Sequence, residues 1–163
     1  MKKLSWMFTL FVTAILFTAC PYNSEVPLSA QGIKVADNFI GTWEMSDSDG
    51  TKIEVKKGVV DQMEIVKTEP GYEGSEPTIT KFYGHFTDVK GSMFLNLKED
   101  SEYSSYYFYK LTSNGDFKVT ISPVTANIRE KFTSSDELKA FFEKNIQNSY
   151  FYDTGDETYY KIK

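Results

Sequence analysis

The 163-residue chain contains one cysteine, one histidine and one arginine. A lone cysteine excludes an intrachain disulfide and a Cys-rich metal site, and a lone histidine, His85, excludes a multi-histidine centre. Basic charge is also short. Eighteen Lys and Arg face 23 Asp and Glu, for a net charge of −5, which argues against nucleic-acid binding because phosphates select a basic patch. The longest apolar stretch, Trp6–Ala19, has 14 residues, short of the roughly 20 that a spanning helix needs. No Gly-x-Ser-x-Gly elbow is present to present a nucleophilic serine. What the chain has in plenty is aromatic side chains, 16 % of the residues, far more than a disordered chain carries. Its length suits one domain.

Met1–Cys20 opens with Lys2 and Lys3, continues through the apolar stretch, and ends on Thr18 and Ala19 before Cys20. That is the order of a secretory signal peptide with its cleavage site. Phe17-Thr18-Ala19-Cys20 resembles the lipobox of bacterial lipoproteins, which implies removal of residues 1–19 and lipidation of Cys20. Losing Lys2 and Lys3 moves the net charge from −5 to −7. Lipidation also accounts for the only cysteine, which would otherwise be a free thiol in an oxidising compartment. Acyl chains contribute about 0.8 kcal/mol per buried CH₂, so several of them make a lasting anchor. Pro21 rather than Asp after the cysteine resembles lipoproteins sent to the outer membrane. Residues 20–37 are polar, carry Pro21, Pro27 and Gly32, and show no sustained period. They read as a lipidated cysteine and a flexible tether, followed by a domain over 38–163.

Within that domain the hydrophobic period is two. Trp43 and Met45, Ile53 and Val55, and Met63 and Ile65 each alternate with polar neighbours, as half-buried strands do. A longer strand is predicted over Thr78–Thr87, then one carrying Met93, Leu95 and Leu97, a Tyr-rich strand over Tyr106–Leu111, and a hairpin at Asn114-Gly115 leading to Phe117, Val119 and Ile121. Ser134 and Glu137 have capping-box spacing. They predict a helix from Ser135 to about Asn145 with Leu138, Phe141, Phe142 and Ile146 on one face. A last strand near Thr158–Ile162, with Tyr160 and Ile162 on one side, completes an all-β antiparallel up-and-down barrel with one short amphipathic helix before the last strand. Closing the sheet removes its edges.

Gly41-Thr42-Trp43 at the start of the first long strand resembles the Gly-x-Trp motif of lipocalins and other calycin barrels, and Arg129 stands ahead of the helix as an arginine of that family does. The resemblance to a lipocalin-like bacterial lipoprotein implies that the Arg129 guanidinium lies over the Trp43 ring at the closed end of the barrel.

Other chemistry fares poorly. His85 shares a strand face with Lys81, Tyr83 and Thr87, a solvent-side set, so it is not expected to be catalytic or to ligate haem. The Asp47-Ser48-Asp49-Gly50 segment would need Glu twelve positions from its start to be a calcium loop, and Gly58 stands there; it reads as a turn. Glu99-Asp100 and Asp156-Glu157 read as solvated turns. The expectation is therefore a non-enzymatic protein without metal or other cofactor, lipid-anchored in the bacterial envelope. It would bind a small, mostly apolar ligand inside the barrel, with Phe82, Phe86, Met93, Leu95, Tyr107 and Tyr109 as the candidate lining. Met45, Ile53, Val55, Met63, Ile65 and Leu97 point inward by the same parity. The alternative is a solid-core barrel working through its outer surface as a structural or protein-interaction module. An eight-stranded barrel can do either.

Overall fold

A computed structural model describes residues 21–30, 33–46, 48 and 50–163. Residues 1–20, where the signal peptide and lipidated Cys20 are expected, and Gln31, Gly32, Asp47 and Asp49 lie outside the described residues.

The described residues form nine strands: β1 (Asn23–Ser24), β2 (Gly41–Met45), β3 (Lys52–Lys57), β4 (Met63–Glu69), β5 (Thr78–Val89), β6 (Ser92–Glu99), β7 (Tyr106–Ser113), β8 (Lys118–Pro123) and β9 (Glu157–Lys161). From β2 to β9 each pairs antiparallel with the next, and β9 returns to pair with β2. The result is the expected closed, up-and-down barrel of eight strands. The one α-helix among the described residues, α1 (Ser135–Asn145), lies before the last strand, and its capping box predicts its start. The Ser134 hydroxyl accepts from the Glu137 N–H at 3.3 Å.

Strand alternation supplies two apolar layers rather than one. Inward residues gather in two adjoining clusters. One surrounds Met63, Ile65, Phe86 and Leu95, and the other surrounds Trp43, Val119 and Tyr159. Outward residues of β5, β6 and β7 (Val89, Phe94 and Phe108) meet Leu138, Phe142 and Ile146 of α1, together with Tyr22, Leu28 and Phe151, in a separate external core. Phe142 is its hub, with ring centroids 5.4 Å from Phe94, 5.3 Å from Phe108 and 4.9 Å from Phe151. Phe141, on the edge of that helix face, packs on Phe132 and Phe151.

The segment read as a tether is strapped to the barrel. Asn23 and Ser24 pair with Tyr107 and Tyr106 on the part of β7 that β8 leaves uncovered. Tyr22, Leu28 and Val35 are buried. Isolated apolar residues, each filling its own notch, leave no periodic trace in sequence.

His85 does point outward, yet it is buried because the strap lies over it. Its Nε2–H donates to the Ser29 carbonyl at 2.9 Å. Beside it, buried Asn96 accepts from the Leu28 N–H at 2.7 Å and donates to the Thr87 hydroxyl at 2.9 Å. Ser29 and Thr87 share a hydroxyl hydrogen bond of 2.6 Å. Each polar group taken under the strap thus finds a partner, as burial requires.

The Trp43–Arg129 stack is not formed. The cation over Trp43 is Lys161, 5.6 Å from the ring centroid, because β9 pairs with β2 in a register that sets Lys161 beside Trp43. Arg129 is exposed, and its segment turns over the outer wall, where Ile128 packs on the external core and the Glu130 carbonyl accepts from Tyr22. Trp43 faces the interior instead, its Nε1–H donating to the Phe39 carbonyl at 3.0 Å. Gly41 is required for a different reason. Its φ is +137°, and a Cβ there would collide with the Lys163 carbonyl.

Candidate functional site

The strand registers give the barrel two unlike ends. At one end lie the starts of β2, β4, β6 and β8. Residues 33–40 close it, with Val35 buried, Ile33 and Ile40 packed on the inner cluster, and Phe39 against Phe86 at 5.0 Å between ring centroids. Lys161 reaches across to the Asn38 carbonyl at 3.0 Å. At the other end lie the finishes of β4 and β6 and the starts of β7 and β9, with Lys67, Glu99, Tyr107 and Glu157.

Between the ends the interior is hollow. A cavity of about 380 Å³ falls in the range of small-molecule sites. Its wall is mainly apolar: Phe39, Trp43, Ile53, Val55, Met63, Ile65, Phe82, Phe86, Leu95, Leu97, Leu111, Val119 and Ile121. Polar lining comes from Lys67, Glu99, Tyr107, Tyr109, Glu157 and Tyr159, with Pro21 of the strap beside them. Gly84 helps keep the space open. A Cβ there would come within 2.9 Å of Leu95 and 3.2 Å of Ile65.

Among the candidate lining residues, Phe82, Phe86, Leu95, Tyr107 and Tyr109 surround this cavity. Met93 packs on the inner cluster near the closed end and does not line it. Met45 likewise packs beside Trp43 without reaching the space. On β9 Glu157 and Tyr159 line the cavity, with Lys161 on the same face at the closed end, whereas Tyr160 and Ile162 are about half exposed, at 45 % and 50 %.

Sequence reasoning missed Lys67, Glu99 and Glu157. Parity carries the signal for two of them, since Lys67 continues the inward series of Met63 and Ile65, and Glu99 that of Met93, Leu95 and Leu97. A charge in phase with a buried row at the end of a strand marks a barrel mouth.

The polar groups interact. Tyr159 donates to Glu157 Oε2 at 2.6 Å, and Lys67 pairs with Glu69 at 2.9 Å. Burial pushes the Tyr109 and Tyr159 phenols far above their ordinary value, and the Glu157 charge adds to both shifts. The two hydroxyls therefore stay protonated throughout the physiological range. Comparison with protein-family models, curated proteins and solved structures gives no match.

Proposed function

We propose that this chain is a lipocalin-like bacterial lipoprotein, anchored in the cell envelope through Cys20, that binds a small, mostly apolar ligand in its barrel. The observation that carries the reading is the cavity: about 380 Å³, walled by apolar side chains, with its charged groups gathered at one end. Water in such a space has few partners, so an apolar molecule displaces it favourably. A solid-core barrel working through its surface would leave no such space. Binding rather than catalysis is the action we assign.

The strap supports the anchoring half. Pro21 lines the mouth, and β1 is hydrogen-bonded to β7 two residues later. Cys20 is one peptide bond from Pro21, about 3.8 Å between Cα atoms. Lipid on Cys20 would hold the barrel mouth close to the bilayer, where apolar ligands partition. The outer membrane is the destination we favour, from Pro21 after the lipobox.

Two experiments test the halves separately. Cys20→Ser should move the protein from the membrane to the soluble fraction; a variant that stays with the detergent phase contradicts anchoring. Mass spectrometry of an organic extract from gently purified protein should show a bound small molecule in near-equimolar amount. Extracts no different from those of a variant with a filled cavity would contradict ligand carriage.

A further inference from the structure

The polar lining is unbalanced, and the imbalance bears on the kind of head group the cavity takes. Of its three charged side chains two are carboxylates, Glu99 and Glu157. The third, Lys67, is already engaged by Glu69 at 2.9 Å. Glu157 lies among the Tyr hydroxyls, where Tyr159 gives it one hydrogen bond of 2.6 Å. An ionised carboxylate offers about four acceptor sites, so one phenol leaves most of that capacity open to a ligand. The Tyr109 phenol, which feels the Glu157 charge, has an oxygen that can accept as well as donate.

From this inventory we infer that the ligand is an apolar molecule ending in a protonated nitrogen, held with its ammonium head against Glu157 and its chain along the Phe82 and Phe86 side of the barrel. An ammonium brings three donors and a positive charge to a region rich in acceptors and negative charge. A hydroxyl head satisfies one acceptor and no charge. A carboxylate head brings acceptors to acceptors and a second negative charge into a partly desolvated space, where like charges repel more strongly than in water. The cavity is thus built against fatty acids, the commonest small amphiphiles carrying an anion. This inference rests on the barrel interior being a ligand site.

The test uses three probes with one chain length: decylamine, 1-decanol and decanoate, each below its micellar concentration, titrated calorimetrically into the full-length protein near pH 7. The amine should bind about tenfold tighter than the alcohol, with decanoate weakest. Glu157→Gln, which keeps an oxygen for Tyr159, should bring the amine down to the level of the alcohol. Three probes of equal affinity, or decanoate binding tightest, would overturn the amine assignment while leaving the ligand site standing. An amine preference that survives in Glu157→Gln would also overturn it. No binding of any probe would overturn both. The ranking on the unaltered protein decides the question even if the variant fails to fold.

Discussion

The same strands feed two apolar layers that differ in kind. Outside β5, β6 and β7, Phe94, Phe108 and Phe142 are wholly buried and interlock edge to face. Inside, Phe82, Leu97, Tyr107 and Leu111 are only partly buried and border an empty space. A barrel that filled its interior would draw its stability from within. Here the helix and strap give the wall a second, dry core on the outside. Cohesion thus lies on the outer face of the same strands whose inner face lines the cavity, so that the interior need not be packed.

Paired truncations put that division at most risk. Phe142→Ala should cost about 3–5 kcal/mol, the usual range for a fully enclosed ring. Leu97→Ala, beside space that is already empty, should fall at or below the low end of its class, about 2 kcal/mol, because fewer contacts are lost. Chemical denaturation of the two variants checks this, and equal losses would erase the distinction between the layers. Next in size, Asn96→Ala should cost about 1–3 kcal/mol by leaving the Leu28 N–H buried without its acceptor. Hydrogen exchange at Leu28 should rise in step, since the strap loses a buried attachment. Removing the helix cap with Ser134→Ala should cost about 1 kcal/mol, read as a lower denaturation midpoint with an unchanged slope.

The smallest effect concerns pH. Burial lowers the His85 pKa below its ordinary 6.5, partly offset by the bond to Ser29. Above that value His85 is neutral in both the folded and unfolded chain, and it adds no pH dependence to stability. As pH falls below it, the unfolded chain takes a proton that the folded chain refuses, so stability drops until the folded pKa is reached. Denaturation between about pH 7.5 and 5.5 should show this loss, and His85→Gln should lose less over the same interval. A variant with the same pH dependence as the parent would mean that the strap does not keep His85 desolvated.

Sequence period made the barrel legible, because a one-face-buried strand needs alternation and the helix needs its cap and its 3.6-residue face. Those rules located β2 to β9 and α1 and most of the cavity lining. They could not find the strap. Tyr22, Leu28 and Val35 bind by shape and by hydrogen bonds to residues more than fifty positions away in the chain, such as Asn96 for Leu28. The Arg129 expectation failed for a related reason: which cation covers Trp43 depends on the β2–β9 register, set where the sheet closes and invisible to local pattern. Polarity misled once more at Glu157, which reads as part of a solvated turn while the structure turns it toward the cavity.

On the reading proposed above, the hollow inside, not the packed outside, is where an apolar molecule binds. Titration with a neutral apolar dye, N-phenyl-1-naphthylamine, tests it directly in the full-length protein and in Leu97→Trp, which puts an indole into the cavity. The parent should bind one dye per chain with an emission rise, and Leu97→Trp, with its thermal unfolding unchanged, should bind about tenfold more weakly or worse, a loss of about 1.4 kcal/mol. Equal binding by both proteins would place the dye on the outer surface and contradict binding in the cavity, as would a parent that binds none.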